Sequence, residues 1–186
     1  MGIREDMERY CPCNEQERRD RALMLDFIDS CGDAFERTNL RAHMTASAWI
    51  VNRERTRTLM VYHRIYDSWA WTGGHADGER DLLSVALREA GEETGLKTVR
   101  PVTEDIYSLE ILTVDGHEKR GEYVPSHLHM NVTYLLEADE GEQLRVCPEE
   151  NSGVAWFRLE DALRASTEPW FVERIYTKLN EKLKSF

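Results

Sequence analysis

No stretch of this sequence approaches the roughly 18 consecutive apolar residues of a membrane-spanning helix, and the amino end, MGIREDMERYCPCNEQERRD, is charged where a secretory leader is apolar. The chain is therefore expected in the cytoplasm, without a membrane partner. Cysteine is scarce: the four residues Cys11, Cys13, Cys31 and Cys147 have neither the C-x-x-C spacing of a zinc site nor the density of a disulfide scaffold, which predicts reduced thiols. The Cys11-Pro12-Cys13 spacing is weak support for a soft-metal site. Positive charge is also in deficit, 24 basic against 35 acidic residues for a net charge of -11. Such a field repels polynucleotide backbones, so no nucleic-acid polymer is expected as a partner, and a small anionic substrate would need a local cation. Internal repeats and low-complexity tracts are missing too.

What is present suffices for one core: 186 residues, 41% hydrophobic and 9% aromatic. Residues 1–42 are polar, with Leu23, Phe27 and Ile28 spaced for one helical face, which predicts a helical extension packed on the outside of a domain at 43–186. From Thr45 the pattern changes. TASAWIV and TLMVYH are β-favouring runs flanking the polar NRERTR, a predicted hairpin. SWAWTGGHADGE reads as an aromatic strand ending in paired glycines and an acidic turn; Asp81 then caps a helix through Thr94 that stops at Gly95. DIYSLEILTV and HLHMNVTYLLEA are longer strands joined by the charged loop GHEKRGEYVPS, and VAWFRL is a further strand. LEDAL is a short helix, and Phe171, Ile175, Leu179 and Leu183 at four-residue intervals mark a terminal amphipathic helix. This order predicts an α/β (α+β) chain with a mixed sheet held between helices.

On the predicted helix Glu89, Glu92 and Glu93 stand at i, i+3 and i+4, within one sector at about 100° per residue. Leu83, Ala86, Leu87, Ala90 and Thr94 fill the adjoining sector and are expected to pack on the sheet. Carboxylates this close repel one another, so a divalent cation is the economical partner: oxygen ligands suit Mg2+ or Mn2+, and Arg88 can orient one carboxylate. An acidic helix alone is more often a solvated face, since glutamate is a good helix former. The preceding Gly73-Gly74 turn reverses that preference, because it lets backbone approach a metal or phosphate closely.

The segment TGGHADGERDLLSVALREAGEETGL resembles the signature of the Nudix hydrolase family, G-x5-E-x7-R-E-U-x-E-E-x-G-U with U a bulky aliphatic. Over residues 74–96 the register supplies Gly74, Arg88, Glu89, Glu92, Glu93, Gly95 and Leu96. Two positions depart: the early glutamate falls on Arg80, with Glu79 one place earlier, and the first aliphatic is Ala90. In the family the early glutamate supports the loop by pairing with the signature arginine, so either Glu79 substitutes for it or Arg80 redirects the ion pair.

The resemblance implies a Nudix-like α/β/α sandwich and hydrolysis of the diphosphate linkage in a nucleoside diphosphate derivative by water activated by Mg2+ or Mn2+. It assigns Glu89 and Glu93 as metal ligands, with Glu92 joining them or bridging through water and the Gly73 carbonyl as an extra ligand, and it makes Glu92, Glu93 and Arg88 the catalytic set. Glu92 is the favoured general base, ahead of Glu118, Glu122, Glu149 and Glu150. His127 and His129 alternate on a strand and so share a face, turned to substrate or metal or else to cross-strand packing. With His75 beside the glycine pair and Lys119 and Arg120 in the charged loop, they are the candidate substrate-binding residues. Trp69 and Trp71 are either base-stacking or core. A homodimer is common in the family, with 1–42 and 168–186 as candidate interface elements. Two competing readings are a Nudix-like sensor that binds a nucleotide without turnover and an isomerase of diphosphate-bearing isoprenoids; the missing cysteine near Gly73 ranks the latter low.

Overall fold

Two helices, α1 (Ile3–Arg9) and α2 (Glu15–Ser30), precede the first strand, β1 (Ala42–Val51), in the computed structural model, which describes residues 2–119 and 121–186. Asn14 caps α2 by accepting a bond from the Glu17 amide at 2.9 Å. A turn closed by Asn52, whose Oδ1 accepts from the amides of Thr56 at 2.9 Å and Arg57 at 3.0 Å, leads into β2 (Arg57–His63) as the predicted hairpin. β3 (Ser68–Ala70) and β4 (Thr72–His75) come next, then α3 (Leu82–Thr94), with Asp81 as its N-cap and Gly95 left-handed at φ 75° as its stop, both as read from sequence. β5 (Val99–Pro101), β6 (Ser108–Val114), β7 (His117–Lys119), β8 (Glu122–Val124), β9 (His127–Ala138) and β10 (Asn151–Arg158) follow, and α4 (Leu159–Ala165) leads to the terminal helical run. The loop expected between the two longer strands thus folds as a small β7–β8 hairpin, whose three-residue strands are too short and charged to show alternation.

The large sheet has the order β10-β2-β1-β9-β5, with β3 on β2, β4 on β1 and β6 on β9. β1 and β9 are parallel; the other pairings are antiparallel. All ten residues of β1 are buried, as a central strand covered on both faces requires. Met44, Ala46, Ala48 and Ile50 enter one core with α1, α2 and α3; Trp49 and Val51, on the opposite face, enter a second with the terminal helices. The chain is therefore a mixed sheet held between helices.

Both end segments depart in detail from their expected faces. On α2 the buried positions are Glu17 and Met24, with Phe27 and Ile28 partly buried, while Leu23 is exposed, since it sits a quarter-turn round from Met24. The terminal run comprises α5 (Pro169–Phe171), a π turn (Val172–Tyr176) and α6 (Thr177–Lys182). Successive four-residue steps advance about 40° beyond a full α-helical turn, and the wider π turn absorbs part of that drift, keeping Ile175, Leu179 and Leu183 buried.

A buried ionic network ties these ends together. Glu17 accepts from Lys182 Nζ at 3.0 Å and pairs with Lys178 Nζ at 3.2 Å, while Lys178 reaches Glu110 of β6 at 2.9 Å. Both glutamates are fully buried. Asp20 accepts from the Ile111 amide at 3.2 Å, so α2 also covers backbone of β6.

Candidate active site

The order of β4, turn and α3 brings a helix face onto the glycine pair. β4 lies antiparallel to β1 with Gly73 opposite Ser47 and Gly74 opposite Ala46. A Cβ on Gly74 would lie 2.3 Å from the Glu89 carboxyl carbon, and one on Gly73 would lie 2.4 Å from Ser47 Oγ and 2.8 Å from the Ala46 carbonyl oxygen. Both glycines are therefore required by close approach rather than by unusual dihedrals.

Glu93 is 3% exposed, and its Oε1 accepts a 2.8 Å hydrogen bond from the Gly73 amide. Burial pushes its carboxyl well above the usual range; the Gly73 bond opposes this, and Glu150, Glu89 and Glu92 push it further up. Glu89 is raised as well, by burial first, against the opposing Arg88 guanidinium, whose Nη2 donates to Glu89 Oε1 at 3.0 Å. Glu92 stands exposed at the rim. Glu93 thus turns inward from its sequence neighbours, and the packing face of α3 is Leu82, Val85, Ala86, Ala90, Glu93 and Thr94, with Leu83 and Leu87 only partly buried. Asn151, which the sequence did not single out, is fully buried and donates to the Glu93 carbonyl at 2.9 Å, pinning the end of α3 to β10.

Of the loop glutamates, Glu150 acts on both Glu89 and Glu93; Glu118 and Glu122 belong to the separate hairpin. Trp71 is 8% exposed and packs edge-on to Phe171 and Tyr176 in the second core, and Trp69 packs on Tyr62 and Phe157. Arg120 lies outside the described residues, and Lys119 is described only by its backbone in β7.

His75, His127 and His129 converge with a fourth ring, His43, which sequence reading missed. One ring nitrogen from each of the four lies within 4.8 Å of those of the others. The β1–β9 register sets His43 opposite His129. Burial, and after it the rings of His75, His43 and His127, push His129 down to about 2; burial also lowers His43. The missed signal was periodic: His43, Thr45 and Ser47 alternate with apolar residues on β1, as His127, His129, Asn131 and Thr133 do on β9. Thr45 and Ser47 each donate to Asn131 Oδ1 at 2.9 Å, so the two series form one polar face.

A model of the NUDIX domain matches residues 41–179. The chain belongs to the Nudix hydrolase family. Among curated Nudix relatives, the m7GpppN-mRNA hydrolase NUDT17 of Xenopus laevis is 33% identical over 114 residues, 58% of this chain but only 36% of that protein. Solved structures of similar fold include the Caenorhabditis elegans Ap4A hydrolase in a binary complex (TM-score 0.55, 19% identity, 77% of this chain and 96% of that one). Another is the Escherichia coli dihydroneopterin triphosphate pyrophosphohydrolase (TM-score 0.53, 15% identity, 73% and 95%).

The Nudix signature's atypical Arg80 has a structural explanation. Its guanidinium lies over the Phe35 ring, 4.8 Å from the centroid, and Glu79 Oε1 accepts from the amides of Arg80 at 2.7 Å and Asp81 at 2.9 Å. Glu79 therefore closes the turn, while Arg88 is held by Glu89 and by the His75 carbonyl at 3.5 Å. Neither Glu79 nor Arg80 takes over the ion pair with the signature arginine.

Proposed function

We propose that this Nudix chain hydrolyses the diphosphate linkage of a small nucleoside diphosphate derivative, using Mg2+ or Mn2+ held by Glu89, Glu93 and the Gly73 carbonyl, with Glu92 at its rim. The carrying observation is a buried carboxylate, Glu93, crowded by like charges against the glycine pair. Such a group needs a proton or a cation beside it, and a hard oxygen donor set suits the magnesium class. Gly73 directs its N–H at Glu93, and in an extended strand a residue's C=O points to the same side as its N–H, which favours the carbonyl as a further donor. When bound, the ion neutralises charge on the diphosphate and acidifies water.

The chain's own residues do the rest. The Gly73 amide fixes one Glu93 oxygen, and Arg88 fixes one Glu89 oxygen. Glu92, exposed at the mouth, accepts the proton of the attacking water. The water oxygen bonds to phosphorus as the bond from that phosphorus to the bridging oxygen breaks, and the leaving phosphate takes the electron pair. A net charge of -11 favours a small substrate over a polynucleotide. The four cysteines are free thiols, in keeping with a reducing compartment such as the cytoplasm.

The test is turnover of a panel with Mg2+ or Mn2+: nucleoside diphosphate derivatives, dinucleoside polyphosphates and methylated cap dinucleotides, for the native chain and for Glu93→Gln. Metal-dependent turnover lost in the variant supports the reading. Tight binding of one member without turnover would replace it with the sensor.

A further inference from the structure

The four convergent histidines make a donor set unlike that of the Nudix carboxylates. Two of the rings are oriented by backbone. His43 Nδ1 lies 3.1 Å from the Asn39 carbonyl oxygen, and His127 Nδ1 lies 2.8 Å from that of Pro125. A carbonyl only accepts, so each Nδ1 carries the hydrogen, which leaves Nε2 as the ligand atom of each ring. Imidazole donating its other N–H to a carbonyl is the usual arrangement around a ligated metal.

The His43 Nε2 lone pair is the unexplained feature. The residue is 4% exposed, and that nitrogen is buried with no hydrogen-bond partner. Such a vacancy on a strand fully inside the sheet is costly unless something fills it. His127 Nε2 accepts a 3.1 Å hydrogen bond from His129 Nε2, a separation close to the roughly 3.3 Å between two nitrogens at about 2.0–2.1 Å from a tetrahedral ion. Such an ion would take the place of the shared proton as His129 releases it or moves it to Nδ1.

We infer that His43, His75, His127 and His129 form a second, nitrogen-only metal centre that takes a zinc-class divalent ion, distinct from the carboxylate site. Neutral imidazole suits zinc and its transition-metal neighbours, whereas magnesium seeks oxygen. Four protein ligands close the coordination shell, which makes the ion structural. It ties β1, β4 and β9 at the point where β4 delivers Gly73 and Gly74 to α3. The inference stands apart from the hydrolase reading, since none of the four rings belongs to the carboxylate set.

The decisive experiment titrates Co2+ into the untagged full chain at saturating Mg2+, reading the visible ligand-field absorption. One equivalent should bind with the strong absorption of tetrahedral ligation and be displaced by Zn2+. His127→Gln and His129→Gln should each weaken binding by at least the roughly 10–100-fold that loss of a ligand's supporting partner costs, and Glu89→Gln should not. No saturable binding, or binding lost in Glu89→Gln and retained in the histidine variants, overturns the inference. A second readout on the native chain serves if the variants fail to fold. One equivalent of Zn2+ should move one imidazole nitrogen resonance of each of four of the six histidines into the range of metal-bound imidazole, with those of His63 and His117, the latter near enough to act on His129, staying outside it; any other set of ligated rings, including none, overturns it.

Discussion

The Gly73 amide donates to Glu93 Oε1 across 2.8 Å, so the strand edge and the buried carboxylate of the signature helix are held by one bond. Glutamine keeps an acceptor oxygen at that place while removing the charge. Glu93→Gln should therefore lose turnover by more than the roughly 10–100-fold seen when a metal ligand's supporting partner is lost, with an unfolding temperature equal to or above that of the native chain. Steady-state kinetics and a thermal melt check both halves; a variant that keeps its turnover removes Glu93 from the catalytic set.

The two glycines should fail differently. In Gly74→Ala the new methyl meets only the far end of the Glu89 side chain, which can swing away. The fold survives, but the displaced carboxylate should lower kcat/KM by about 100-fold, as misplacement by about 1 Å does. In Gly73→Ala the methyl meets the Ala46 carbonyl oxygen of β1, and the strained β1–β4 pairing should cost about 1–3 kcal/mol. Equal melting temperatures for the two variants would contradict this division.

Because Arg80 stacks on Phe35 while Arg88 is held elsewhere, Arg80→Ala should leave kcat/KM within about twofold of native and cost only the roughly 0.5–1 kcal/mol of stability of an exposed cation–π contact. A large kinetic defect in this variant would give Arg80 a role at the substrate.

Acid should weaken the clasp between the chain's two ends. Burial alone would raise the Glu17 carboxyl, but Lys178 and Lys182, with hydrogen bonds from Tyr10 and the Cys13 amide, hold it at about 2 against an ordinary 4.5. Between those values the unfolded chain binds a proton that the folded chain does not. The stabilisation is present above about pH 4.5 and drains as pH falls toward about 2, on the order of 3 kcal/mol in all. Urea unfolding at a series of pH values should show the native chain's advantage over Glu17→Gln narrowing through that window; a constant gap counts against the linkage.

Removing the cation instead leaves two buried carboxylates short of charge. Lys178→Met should cost about 3–5 kcal/mol, and pairing it with Glu110→Gln should recover part of the loss, since Lys178 bonds Glu110 at 2.9 Å. Calorimetric melts of the single and double variants decide this.

What was legible in the sequence was local. Asp81 and Gly95 bracket α3 because capping acts within a turn, and the glutamate spacing survives because one helix carries it. The inward turn of Glu93, the exposure of Leu23 and the role of Asn151 depend on what packs against each helix, which periodicity leaves open. His43 escaped notice for a related reason: its partners are brought to it by a parallel pairing whose register no local pattern records. Arg80 read as a defect in the signature until Phe35, from a different segment, supplied its partner.

The parallel ladder between β1 and β9 also shapes how the chain must come together. Thr45 and Asn131, bonded side by side, are 86 residues apart in sequence, and loops that long close slowly. On the ribosome β1 would emerge long before its partner, with ten residues destined for full burial still waiting. A nascent chain at that stage offers an open apolar strand to its neighbours, so yield on refolding should fall as concentration rises, and early synthesis is when chaperones matter most.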